Sequence, residues 1–483
     1  MQSLKYIFAL IMFSLLSVAV MAQDDGVGFA YDDCPFDLPD SEVVEDTMDC
    51  GYLIVPENRD NPDTEFIELA VAILYSENPQ PDPIIYLEGG PGGSALAGID
   101  AWYASPFREN RDIILIDQRG TGFSVPGLNC EEVDEYEDEL EATQVCYDRL
   151  LNDGVDLAAY TTIANAADIN DLINALELDE VNLYGISYGT RLALEIIDNH
   201  PDPIRSVVID SVYPPNVNAY VENAPNIQAT FDALFSACDA DPDCRQEYPD
   251  LGNIFYATMD NLNESPLPLE DLDMTGDDLF NDLSQLMYDT SLIPFVPAII
   301  FAAYDGDVEY FLDLKDGAYI EETDEMGEDY PEIDIDDDSE GLFNTIECND
   351  EIPFQTPEQV EAYANGLSAQ IGFAAVSGSL AMFDTCDIWQ VPTAPASENA
   401  AIVSDVPTLV LNGALDPITP PVWGATAAAS LSNSFVYTFP GVGHGAIDGG
   451  PCPLGIGLAF LDNPTVAPDS SCIADMELTF FIP

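Results

Sequence analysis

The 483 residues are 47% hydrophobic, yet they carry 90 acidic against 10 basic side chains, a formal charge of −80. Such a chain can bury a substantial core, and its charge repels nucleic acid and anionic membrane surfaces. The acids are spread along the whole length, which fits a solvated surface suited to a salty medium better than a dedicated binding face for cationic substrates.

At the N-terminus, Lys5 precedes an apolar run from Tyr6 to Val20, with small-residue spacing at Val20 and Ala22. The run is shorter than the ~20 residues a spanning helix needs, so residues 1–22 read as a cleaved signal peptide. No later segment reads as long and apolar enough to cross a membrane. The mature chain is therefore expected to be secreted or periplasmic, without membrane attachment.

Residues 27–50 read as an irregular, disulfide-tied lead-in, and the alternating stretch that follows, with a turn at Asn58 to Asp63, reads as a β-hairpin. Short apolar runs ending in glycine or polar residues come next, at 83–90, 112–120, 181–187 and 204–210. These have the character of buried parallel strands. Ile169, Leu172, Ile173 and Leu176 recur at helical spacing between the second and third runs, which gives the strand–helix–strand rhythm of an α/β sheet. From 213 to 399 that rhythm stops in favour of helical patches broken by proline and acidic stretches; it returns at 407–413 and 434–441. The expected organisation is a core in two parts, 23–212 and 400–483, with a mainly helical cap inserted at 213–399.

Ten cysteines fall as near neighbours: Cys34 and Cys50, Cys130 and Cys146, Cys238 and Cys244, Cys348 and Cys386, Cys452 and Cys472. In an exported chain that pattern suggests up to five sequential disulfides, with connectivity left open by sequence alone. With no C-x-x-C pair and two histidines, no metal site is expected.

Gly185-Ile186-Ser187-Tyr188-Gly189 follows a strand-like run and precedes a helix-like one, the setting in which a serine is held exposed on a sharp turn as a nucleophile. A serine hydroxyl needs an adjacent base. His200 closes the helix that starts at the turn and reads as a C-terminal cap, whereas His444 follows the last strand run. Asp416, just past the penultimate run, completes the order serine, acid, histidine. Gly89-Gly90-Pro91-Gly92-Gly93 offers close backbone approach, so the N–H groups of Gly90 and Tyr188 are the expected oxyanion donors. No G-K-[ST] follows these glycines, which argues against a phosphate loop.

Together GGPGGSA, DQRGTGFS, GISYGT, GALDPITPP and GVGHG resemble the proline iminopeptidase and tripeptidyl aminopeptidase family of α/β-hydrolases, closest to its secreted tripeptidyl aminopeptidase-like branch. The likeness covers most of 50–212 and 340–483. It implies the α/β-hydrolase fold, a mostly parallel central sheet flanked by helices, and an exopeptidase acting on peptides with a free N-terminus, with no cofactor. Glu88 stands where many iminopeptidases carry histidine before GGPG, a departure from strict proline iminopeptidases. A substrate ammonium favours a carboxylate in the cap, and Glu347 and Asp350 are the candidates. Arg119 and Arg191 read as structural ion-pair partners.

Asp336, Asp338, Glu340, Gly341, Asn344 and Glu347 partly match a calcium-binding EF-hand loop, but the flanking Pro331 and Pro353 favour a flexible acidic loop. Fold and triad do not choose the leaving group, so a secreted carboxylesterase or lipase is the enzymatic alternative. A non-catalytic binding protein on the same scaffold stands further off, because serine, acid and histidine are all present.

Overall fold

The computed structural model describes residues 26–483 except 40, 137, 270–272, 315–334 and 336–337; the expected signal peptide lies outside the described residues. Nine strands form one sheet in the order β1-β2-β3-β5-β4-β6-β7-β10-β11. They are β1 (Gly28–Asp32), β2 (Met48–Pro56), β3 (Phe66–Leu74), β4 (Ile84–Leu87), β5 (Ile113–Ile116), β6 (Val181–Ile186), β7 (Ile204–Asp210), β10 (Thr408–Gly413) and β11 (Ser434–Phe439). A separate two-stranded ribbon joins β8 (Leu267–Pro268) to β9 (Asp273–Met274).

The first three strands and β5 pair antiparallel, and from β5 to β11 every pairing is parallel. The central strands are short and wholly buried because helices cover both faces of the sheet. In β4, Ile85 and Leu87 enter one core, while Ile84 and Tyr86 enter the other, as the two-residue period of a strand requires. Helices Thr162–Ala175 and Tyr188–Asn199 pack on the first face, helix Pro451–Asp462 on the second. Chain order reverses at β4, which lies between β5 and β6, and the loops leaving β4 and β6 open a crevice there.

Between β7 and β10 run the helices Ala219–Ala240, Leu251–Glu264, Gly276–Leu286, Val296–Asp305 and Ala369–Ile388, most of them around a third apolar core that includes Phe231, Phe255 and Phe280. Two expectations need correction. The lead-in is not wholly irregular, since Gly28–Asp32 pairs with β2 as an edge strand. Ala369–Ile388 does have the length and apolar composition to cross a membrane. It carries Asp384 and Asp387, packs Ile371, Ala374 and Ala375 into the helical core, and is tied by Cys386 to Cys348. All five disulfides join the sequential neighbours.

Candidate active site

Ser187 sits between β6 and the helix Tyr188–Asn199 with φ +53° and ψ −123°, a conformation rarely adopted by a residue with a side chain. The turn closes because its glycines vanish sterically: a Cβ on Gly185 would lie 2.3 Å from the Gly189 carbonyl oxygen, and one on Gly189 2.0 Å from that of Leu87. The Ser187 N–H donates to Asp210 O at 3.0 Å, and Thr190 Oγ1 donates to Ser187 O at 2.6 Å, so both sides of the turn are tied.

After β10, Asp416 is fully buried and accepts the N–H groups of Ile418 and Thr419, each at 2.9 Å, and the Thr419 hydroxyl at 2.7 Å. Its Oδ2 lies 2.9 Å from His444 Nδ1. Burial opposes ionisation of Asp416, but the adjacent imidazole and these donors hold its pKa below the usual range. Burial also opposes protonation of His444, yet the charge and hydrogen bond of Asp416 outweigh it and raise the imidazole pKa. The Tyr288 ring stacks on the imidazole with centroids 4.2 Å apart, and Tyr288 O accepts the His444 N–H at 2.8 Å.

His444 Nε2 is buried with no hydrogen-bond partner among the described residues, and His444 and Ser187 border one cavity of about 930 Å³. A second cavity of about 270 Å³ meets the first at Ser187 and Gly90. Gly90 has φ +103°, and the Tyr188 N–H opens a helix, so its amide belongs to the turn that intrahelical bonding leaves unsatisfied.

The smaller cavity has aromatic walls, Tyr213, Tyr220, Phe343 and Trp423, and one acid, Glu347. Burial, then the neighbouring Glu351 carboxylate, pushes the Glu347 pKa up to about 8, and Tyr220 donates a hydrogen bond to it. Asp350 lines neither cavity: its Oδ2 accepts the Thr162 hydroxyl at 2.5 Å, and Thr162 in turn bonds the Tyr188 hydroxyl at 2.8 Å. Its carboxylate thus lies beneath the serine turn and away from both cavity walls, whereas Glu347 borders the smaller one. Both residues lie on a π-helical turn, Glu347–Glu351, that continues the helix Glu340–Ile346. From Glu340 onward helix therefore replaces the flexible loop expected there, and Glu340, Gly341 and Asn344 lie on it; Asp336 lies outside the described residues.

Arg191 pairs with Glu351 at 2.8 Å and Arg119 with Asp168 at 2.7 Å, both inside the protein. His200 caps its helix by donating its N–H to Ile196 O. Two contributors escaped sequence reasoning. Asp210, at the end of β7, accepts the N–H groups of Ala446 and Ile447 at 2.7 and 2.8 Å and so fixes the loop that carries His444. Burial raises its pKa to about 7. Tyr288 belongs to the helical insertion, where no motif marks it. Among the described residues, the grouping with ligand-like spacing is Cys130, Glu132 and Cys146, and its two cysteines are joined as a disulfide.

Residues 82–280 match a family model described as alpha/beta hydrolase fold, and 374–472 match one described as TAP-like protein. The chain is 25% identical over 465 residues to serine protease Hip1 of Mycobacterium tuberculosis H37Rv, covering 87% of this chain and 86% of that protein. Carboxylesterase B of the same organism is 23% identical over 472 residues, 89% and 88% covered. Tripeptidyl aminopeptidase of Streptomyces lividans is 28% identical over 218 residues, 39% of each chain.

Proposed function

The chain is an α/β-hydrolase with a TAP-like C-terminal portion, a serine hydrolase, and from that premise we propose that it is a secreted exopeptidase releasing short N-terminal peptides. Ser187 Oγ attacks the scissile carbonyl as His444 Nε2 takes its proton. Asp416 holds the imidazole by Nδ1 and stabilises the imidazolium. The N–H groups of Gly90 and Tyr188 receive the oxyanion. The imidazolium then protonates the departing amine, and water, deprotonated by the same histidine, clears the acyl-enzyme. The residues 213–399 act as a cap over this centre, and five disulfides support an oxidising compartment.

The observation that carries the exopeptidase reading is Glu347. It is a buried carboxyl at the wall of a small aromatic cavity that opens on Ser187, while the nearby cation, Arg191, is ion-paired with Glu351. A substrate ammonium would meet both the acid and the ring faces there. The second reading, a carboxylesterase, is favoured by the likeness, over 89% of this chain, to a protein of that name. A panel of aminoacyl and tripeptidyl chromogenic amides and short acyl esters, with free and acetylated N-termini, separates the two. Cleavage confined to free N-termini supports the exopeptidase; equal rates on blocked peptides, or turnover of esters alone, overturns it.

A further inference from the structure

The two cavities at Ser187 divide the substrate. His444 borders the larger one and not the smaller. Because the imidazolium must hand its proton to the departing amine, the leaving peptide lies on the histidine's side of the serine. The acyl portion then occupies the smaller cavity with Glu347. The unpartnered, buried Nε2 marks the larger cavity as the place where a leaving nitrogen is received.

The walls of this larger cavity carry Glu88, Asp289, Asp338 and Asp448, and among the described residues neither lysine nor arginine borders it. Glu88 is held at the wall, since Tyr86 donates its hydroxyl to Oε2 at 2.9 Å and the Gly89 N–H donates to Oε1 at 2.7 Å. Burial raises the pKa of the Glu88 and Asp448 carboxyls, and the negative charge of Asp338 adds to this at Glu88 and that of Asp289 at Asp448, so negative charge in this space is held against repulsion. A cation entering it relieves that repulsion, and an anion adds to it.

We propose that this cavity is the leaving-group subsite and that it selects peptides whose first residue after the scissile bond is lysine or arginine. The inference rests on the exopeptidase reading for its orientation. The chain's overall acidity draws in any basic peptide, but that long-range attraction does not depend on where along the peptide the cation sits. A subsite of four carboxylates does.

The test uses the full mature protein and peptides with a free N-terminus and one constant acyl portion. Lysine, norleucine or glutamate occupies the first position after the cleaved bond, and a second series moves the lysine four residues downstream. Cleavage is followed by mass spectrometry at low and high salt. The expected kcat/KM for lysine exceeds that for norleucine by about tenfold, the gain of one charge ~10 Å from an acid at an effective dielectric of ~20. Glutamate falls below norleucine, and moving the lysine abolishes the gain. In the double variant Asp289→Asn, Asp448→Asn the lysine-to-norleucine ratio drops towards one. Equal rates for all three residues, or the same gain wherever lysine stands, overturns the proposal, and the wild-type series alone decides this. Acetylated copies report separately on orientation: cleavage of blocked peptides as fast as free ones removes the exopeptidase reading while leaving the lysine ranking measurable.

Discussion

Glu347 shares its turn with Asp350 and Glu351, and the single arginine among them is paired with Glu351. Burial and these neighbours put its pKa at about 8, close to the ~7.7–8.0 of a peptide α-amine. Below that pH the free enzyme holds a neutral carboxyl, which must give up its proton when an ammonium docks. Above it, the substrate amine loses its charge. For a free peptide kcat/KM should therefore climb to a maximum near pH 8, and Glu347→Gln should remove this component and cost roughly 10- to 100-fold, the value of a charge-assisted hydrogen bond. An acyl ester should show the His444 limb alone, and identical profiles for peptide and ester would sink the assignment. Ser187→Ala or His444→Ala should each cost several powers of ten with folding intact, and His200→Ala little, because His200 only closes a helix. Full activity in His444→Ala would refute the triad. Ser187, Asp416 and His444 were legible because each follows a strand at a position this fold prescribes. Asp210 was not: it is one acid in 90, and the N–H groups it accepts lie more than 200 residues further along the chain.

At the scale of elements, the loop carrying His444 is held from three directions. Thr290 Oγ1 accepts the Gly443 N–H, Ser211 Oγ accepts that of Gly445, and Asp210 accepts the next two. Asp210→Ala would leave two buried N–H groups without acceptors, at about 1–3 kcal/mol each, and should lower both the melting temperature and kcat/KM. An unchanged melting temperature would show that the loop is fixed by its other bonds. The turn bearing Glu347 is held, besides the Asp350 and Glu351 contacts, by the Cys348–Cys386 disulfide, whose sequence separation of 38 corresponds to about 4 kcal/mol in the chain-entropy model. Replacing both cysteines by alanine should approach that loss and also weaken discrimination for free N-termini, which melting and the acetylated-peptide ratio measure together. The strands were readable because wholly buried runs such as Ile113–Ile116 are short, apolar and bounded by polar residues. The inserted helices were readable only as helical patches. Pro225, which reads as a break, lies inside the continuous helix Ala219–Ala240, where packing of Phe231, Leu234 and Cys238 overrides local propensity.

Across the molecule, most of the arginines among the described residues are committed to ion pairs. Arg59, Arg108, Arg111, Arg119, Arg149, Arg191 and Arg205 each pair with a carboxylate, so the remaining acids mostly face one another. That repulsion opposes the compact state, and lengthening or shortening its range with salt changes stability directly: the screening length falls from ~30 Å at 0.01 M to ~3 Å at 1 M. Proton linkage points the same way. Burial raises Asp117 to about 6, Asp210 to about 7, and Glu195 and Glu347 to about 8, so between roughly pH 4 and 8 the folded chain binds more protons than the unfolded one. Stability must then fall as pH rises through that window. On the acid side the sign reverses. Despite burial, hydrogen bonds from Asn182 and Arg111 hold Asp82 low, and His444 does the same for Asp416, so their contribution is lost as pH falls below about 4. The expected optimum is near pH 5, with melting temperatures at low salt declining towards pH 8. Added sodium chloride should raise the melting temperature strongly at pH 8 and weakly near pH 5, where many exposed carboxylates are already close to protonation. Thermal melts with disulfides intact, over a grid of pH and salt, measure both slopes. A melting temperature that stays flat or falls with salt at pH 8 would mean that the acidic surface is not under electrostatic strain, and the case for a salty working medium would lose its physical basis.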